Sequence, residues 1–312
     1  VNCRVSKFNY GGQAVIEGVM MRGRRAWAVA VRRADKEIIL EEGSVKSVVQ
    51  KYPILGKPLI RGSVALVESL VFGIKCLTFS ANAYAEEEAG EELTVKELIF
   101  TFGLAFLLTV GFFIMLPAFI VRLVESAISN NILLNAVEGL VKITLFVGYI
   151  AGISLMKDIQ RVFQYHGAEH RTINCYEAGD PLTVENVQKH SSIHARCGTN
   201  FLLITLFTSI FVFSFFGRPA FLLRVLTHIA ILPIVAGLSY EVIRQAGKEQ
   251  PHPIFKAIAA PGMALQLLTT REPDDEQVEV AIAALKAVLD KDHHFDDEHQ
   301  IKQFPSVHDA TK

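Results

Sequence analysis

Leu98-Ile99-Phe100-Thr101-Phe102-Gly103-Leu104-Ala105-Phe106-Leu107-Leu108-Thr109-Val110-Gly111-Phe112-Phe113-Ile114-Met115-Leu116-Pro117-Ala118-Phe119-Ile120-Val121 is a run of 24 residues without a formal charge. A bilayer core takes roughly 20 helical residues, so this stretch is long enough to cross one. Pro117, near its far end, is expected to kink it, which membrane helices tolerate. Ile132 to Met156 reads as a second span. Glu138 and Lys142 fall inside it, four residues apart and therefore able to pair. Cys197 to Gly217 is a third run without acidic or basic residues. Pro219 to Tyr240 is the fourth, with Arg224 near its start and His228 inside. The fold expected is mainly α: a polytopic membrane protein with about four transmembrane helices and a small β-containing N-terminal cytoplasmic region.

Composition agrees with spans. The chain has 312 residues, 20% charged, with a net charge of −1 and a mean hydropathy of +0.33. That is apolar for a soluble protein of this length, and the apolar residues fall in runs. Neither the charge nor its distribution suggests nucleic acid. Cys3, Cys76, Cys175 and Cys197 have no regular spacing, so reduced cytoplasmic thiols are expected. The opening residues are polar and mixed, so insertion is expected to rely on the internal spans.

Four regions follow. Residues 1–58 are Gly-rich and β-prone: Gln13 to Met21 is strand-like, and Trp27–Arg33 and Glu37–Glu42 flank the turn Ala34-Asp35-Lys36. Residues 59–97 hold a helix over 61–85 and an acidic turn, Glu86 to Glu92. Arg61, Glu68 and Lys75 interrupt that helix, so it is expected at the membrane surface or against the spans. Residues 98–240 are the four-span domain and contain the segment 157–200. Residues 241–312 hold a short apolar helix, an amphipathic helix with Val278, Ile282, Leu285 and Leu289 on one face, and a tail expected to be disordered from Asp290. Lys and Arg concentrate in the N-terminal region, in 157–196 and in the C-terminal part, which places all three on the cytoplasmic side.

Chemistry concentrates in 157–200. In Tyr165-His166-Gly167-Ala168-Glu169-His170-Arg171 two histidines stand four apart, so on a helix they share one face. H-x-x-E-H is the inverted form of a zinc-peptidase signature. His190 and His194 repeat the spacing, with Cys197 three further on. Catalytic zinc usually takes three protein ligands and leaves one position open. His166 and His170 supply two; His194 is expected as the third, with Cys197 and Glu177 competing. Glu169 is the expected general base toward an activated water, and Arg171 and Arg196 the groups that hold a developing oxyanion or an anionic substrate. Asn174 is expected to orient the site. His190 alone reads better as a surface histidine, and His293, His294 and His299 as part of a solvated tail. Glu17 is equally compatible with a structural place and a place in the site.

Four stretches also carry a resemblance. Gly11-Gly12-Gln13-Ala14-Val15-Ile16-Glu17-Gly18-Val19-Met20-Met21-Arg22-Gly23 resembles the opening signature of the YqhQ family, bacterial membrane proteins of unknown function labelled as metal-dependent enzymes. Tyr165 to Asn174 and His194-Ala195-Arg196-Cys197-Gly198-Thr199 are similar to its central signatures, and Thr269-Thr270-Arg271-Glu272-Pro273-Asp274-Asp275 to its C-terminal one. The similarity covers all but the last 20 or so residues; His190 lies outside it. It implies a multi-pass protein of the bacterial inner membrane with a metal site and no established reaction. The expected function is a zinc-dependent hydrolase using an activated water on a membrane-proximal ester or amide. The alternative is a non-catalytic scaffold or assembly factor with a structural metal. A transporter fits less well, since the spans hold few ionisable groups and show no repeated halves.

Overall fold

The computed structural model describes residues 10–88, 94–128, 130–216, 220–248 and 250–303. The N-terminal region is a four-stranded antiparallel meander in the order β1-β2-β3-β4: β1 Gly11–Val15, β2 Gly18–Arg22, β3 Ala26–Arg32 and β4 Ile38–Ser44. Ile16 and Glu17 make the first two-residue turn, with Glu17 in the left-handed region at φ 51°. Ala34, Asp35 and Lys36 turn β3 into β4, as the sequence predicts, with the Lys36 N–H donating to the Arg33 carbonyl, and register pairs Arg32 with Ile38.

Strand alternation divides this sheet's residues between two cores. Val19, Met21, Ala26, Ala28 and Ala30 join one; Val15, Met20, Trp27, Val29 and Val31 join the other. The first core is completed by α6 (Lys157–Ala178) and α11 (Asp275–Gln303), whose Val278, Ile282, Leu285 and Leu289 are all buried. The second is completed by α2 (Ile60–Glu88), through Phe72, Cys76, Phe79 and Ala83. A short α1 (Val48–Lys51), capped by Ser47, precedes α2.

The apolar helices follow. α3 (Val95–Val110) opens with a capping box between Thr94 and Glu97 and runs through a π-helical turn, Gly111–Met115, into α4 (Leu116–Val124). Pro117 has no N–H and its ring crowds the carbonyl four residues back, which falls inside that turn. α5 covers Asn131–Ile153, and α6 follows after a break at 154–156 rather than continuing the same helix. α7 (Val184–Gln188) is capped by Thr183. α8 spans Gly198–Ser214, α9 Phe221–Ala246 and α10 Pro253–Thr269.

Among the described residues, four stretches are long and apolar enough to cross a membrane: Ile60–Tyr84, Ile99–Val124, Leu133–Ile153 and Val225–Ala246. This set departs from the sequence reading in two ways, one helix gained and one lost. The helix expected at the surface, α2, qualifies by length and composition, because Arg61, Glu68 and Lys75 are spread thinly along it. The third expected span, Cys197–Gly217, forms only the 17-residue α8. The C-terminal expectation also changes, since α11 runs through Asp290 to Gln303. Asp292 gives a reason: its carboxylate accepts from the N–H groups of Arg24, Arg25 and Ala26, fastening the helix to the β2–β3 turn. The side chains of His293, His294 and His299 lie outside the described residues, as does most of the acidic stretch ending at Glu92.

Candidate metal centre

Helix α6 supplies the framework. It ends at Gly179, whose φ of 83° is the left-handed cap that glycine favours, and Pro181 follows. The chain then turns through α7 and brings residues 190–197 back along α6. Asn174 holds that returning loop, donating from Nδ2 to the carbonyls of Ser191 (2.7 Å) and Ile193 (3.2 Å), in the orienting place expected of it. Gln266 on α10 pins His194 from both sides, accepting from its N–H and donating to its carbonyl, each at 2.9 Å.

On this framework three donors converge. One ligand atom each from His166, His170 and Cys197 lies within 4.8 Å of the others. His166 Nδ1 is 2.8 Å from the Thr269 carbonyl and His170 Nδ1 is 2.6 Å from the Ser192 carbonyl. A carbonyl only accepts, so both Nδ1 atoms carry the proton, and in the neutral ring Nε2 is then the nitrogen left to act as acceptor or ligand. Metal-bound histidines are typically oriented this way by a carbonyl or carboxylate behind them. His166 Nε2 stands 3.2 Å from Cys197 Sγ, which also receives the Thr199 N–H at the start of α8. Two imidazoles and a thiol grouped within 4.8 Å, with carbonyls behind both rings, are a donor set that fits a zinc-type ion.

Around the donors is a cavity of about 320 Å³, lined by β1 from Gly11 to Ala14, by α6 and by His194, Arg196, Cys197, Gly198 and Thr199. Glu169 faces this cavity. Burial pushes its carboxyl up to about 7, against the pull of His166 and of the Gly12 N–H, which donates to it. A buried carboxyl near that value suits proton transfer at neutral pH.

The other expected site residues are distributed differently. His194 lines the cavity with its ring 5.6 Å from that of His170, yet its Nε2 faces Glu177 Oε2 at 3.7 Å. Of the rivals for third place, the converging donor is thus Cys197. Burial lowers the pKa of His194, favouring the neutral ring. Burial raises Glu177, but His194 and Arg196 outweigh it and hold its carboxyl below the usual range. Arg196 reaches the cavity while paired with Glu177. Arg171 does not line it: Nε donates to Ser192 Oγ, NH1 to Gln188 and NH2 to Glu272, so its guanidinium braces the loop instead. The oxyanion role expected of Arg171 has no geometry here, because on the helix it points one step round from His170. His190 pairs with Asp180 at 2.9 Å, away from the donors. Glu17 binds Arg161 and accepts from the Tyr165 hydroxyl, a structural place.

Sequence reasoning missed Gly12, Ser192, Gln266 and the Thr269 carbonyl. Gly12 and Thr269 lie in stretches that the resemblance had marked, though without a role.

The fold and site define a class: a helical protein with four candidate membrane spans and an N-terminal sheet, bearing a two-histidine, one-cysteine cluster between sheet and bundle. The chain belongs to the DUF1385 family, described as "Protein of unknown function", whose model matches residues 57–291. It is 39% identical over 297 residues to "Uncharacterized protein YqhQ" of Bacillus subtilis (strain 168), covering 90% of this chain and 92% of that protein. The resemblance carried by the four motifs is therefore one of family. No solved structure matches.

Proposed function

We propose that the protein is a metal-dependent hydrolase, zinc being the expected metal, working at the cytoplasmic face of the bacterial inner membrane. The observation that carries this is the convergence of His166, His170 and Cys197 within 4.8 Å, beside a buried Glu169 in one cavity. His166, His170 and Cys197 would hold the ion. When bound, it supplies Lewis acidity and an activated water at neutral pH. Glu169, held by the Gly12 N–H, takes the water's proton and can return it to the leaving group. Arg196, at the cavity wall, offsets negative charge on the substrate carbonyl oxygen.

The membrane arrangement supports this placement. Phe72 to Ala83 of α2 pack on the sheet, leaving Ile60 to Val71, about 18 Å of helix, too little for a core of about 30 Å. We therefore read α2 as lying along the bilayer surface, with Val67, Leu70 and Val71 facing lipid. The crossings are then α3–α4, α5, α8 and α9, with α8 at the short end of the usual range. An even number returns the chain to one side, so the sheet, α6 and α11 share the cytoplasmic face with both termini.

The alternative, a scaffold with a structural metal, would use a closed four-ligand site. The geometry leans away from it, since His194 Nε2 faces Glu177. The test is hydrolysis of ester- and amide-linked amphiphiles by purified protein and by Glu169→Gln. The expected result is a loss of about 100-fold or more in Glu169→Gln with metal content unchanged. Equal rates in both, or no hydrolysis by metal-loaded wild-type protein, would leave the structural-metal reading in its place.

A further inference from the structure

A second cavity, of about 420 Å³ and open on one side, lies between the π-helical turn, α5, α8 and α9. For scale, an apolar cavity of about 150 Å³ holds benzene and stays dry. Its walls are mainly hydrocarbon and aromatic, among them Phe113, Phe146, Ile150 and Leu232.

The two cavities share one face of one helix. Gly198 and Thr199 line the metal-centre cavity, while Leu202, Leu206, Ser209 and Phe213 line the second. Those positions recur every three or four residues, so they form a single stripe of α8. From Thr199 to Phe213 that stripe is about 21 Å long. Its far end meets a buried polar cluster. Lys142 Nζ is 2.9 Å from Glu138 Oε1 and 3.3 Å from His228 Nε2, and Phe213 stacks on His228 with ring centroids 3.8 Å apart. Ionisable groups at this depth are costly and are kept where they have a task. Here they tie α5 to α9 and close the stripe at its outer end. The π-helical turn contributes Phe113 and Ile114 to the wall, and such turns often stand at functional sites.

We propose that this cavity holds the hydrocarbon chain of an amphiphile whose polar head lies in the metal-centre cavity, which makes the substrate class a membrane lipid or a lipid-linked ester or amide. The inference rests on the hydrolase reading above. A head at His166, Glu169 and Arg196 puts the carbonyl beside the donors, and the first turns of α8 lead the chain into the bundle. Binding energy from the chain then serves to position the head. The Lys142–His228 closure sets the chain length that fits.

The test uses the full chain in nanodiscs with a fatty acid bearing a photoactivatable diazirine along its chain, adducts being mapped by mass spectrometry and metal measured on the same samples. Adducts are expected at Phe146, Leu206 and Ser209, competed by unlabelled fatty acid. Ser209→Trp, which fills the cavity, is expected to reduce them about tenfold. Thr205 also lines the cavity, and Thr205→Phe serves as a second filling variant, while adducts on the exposed Leu107 and Phe211 stay unchanged. Uncompeted labelling spread evenly over outward and inward faces, or labelling indifferent to both variants, would overturn the inference and leave the metal reading intact. Wild-type protein without metal would overturn the hydrolase reading whatever the adducts show.

Discussion

The Gly12 N–H donates to the buried Glu169 carboxylate, so the first strand of the sheet completes the site built on α6. A side chain at Gly12 would place its Cβ 3.0 Å from Glu169 Cγ and closer still to the Met20 carbonyl. Gly12→Ala is therefore expected to push β1 off α6 and destabilise the protein by about 1–3 kcal/mol. Gly11→Ala is the control, since nothing stands within 4 Å of its Cβ. Thermal melts in detergent distinguish them: Gly12→Ala melts lower, and Gly11→Ala melts with wild type.

Gly167 sits where α6 meets the strand-like exit from α10. A Cβ there would collide with the Arg271 carbonyl, and Arg271 in turn donates its N–H to the Phe163 carbonyl. Gly167→Ala is expected to shift the 269–273 segment and with it the Thr269 carbonyl that orients His166. Loss of such an outer partner typically weakens metal binding about 10–100-fold. Titration with a chromophoric zinc chelator measures it; unchanged affinity would mean that His166 is oriented by something else.

Lys142 is the cation between Glu138 and His228. Lys142→Met leaves a buried carboxylate without its ammonium and is expected to cost about 3–5 kcal/mol. Adding Glu138→Gln removes the uncompensated charge and should recover most of that loss. Unfolding of the single and double variants in the same detergent decides it, and equal destabilisation of both would contradict the pairing.

Asp292 accepts three backbone N–H groups from Arg24 to Ala26 and is buried. Asp292→Ala is expected to cost about 2–4 kcal/mol, because donors at the β2–β3 turn lose a charged acceptor. Faster hydrogen exchange at residues 24–26 than elsewhere in the sheet would locate the effect.

Much of this was legible from residue order. The i,i+4 histidines, the hairpin at Asp35-Lys36, the Glu138–Lys142 pair and the buried face of α11 all follow from periodicity, which side chains impose locally. What escaped was carried by backbone. The Thr269 and Ser192 carbonyls and the Gly12 N–H have no side-chain signature, so only the fold reveals that they meet His166, His170 and Glu169. Arg171 was misjudged because adjacency to His170 in sequence is a 100° step around a helix. The choice between His194 and Cys197 turned on Glu177, which stands across from His194 once the loop returns along α6. For α2, hydropathy alone favours a span, whereas Phe72, Cys76, Phe79 and Ala83 commit half of it to the sheet.

The most direct measurement is the metal content of purified protein, by inductively coupled plasma mass spectrometry, beside His166→Ala, His170→Ala and Cys197→Ala. The expected result is close to stoichiometric zinc-type metal in the wild type and its loss in all three variants, with His190→Ala unaffected. The same trace metal in every preparation would contradict it.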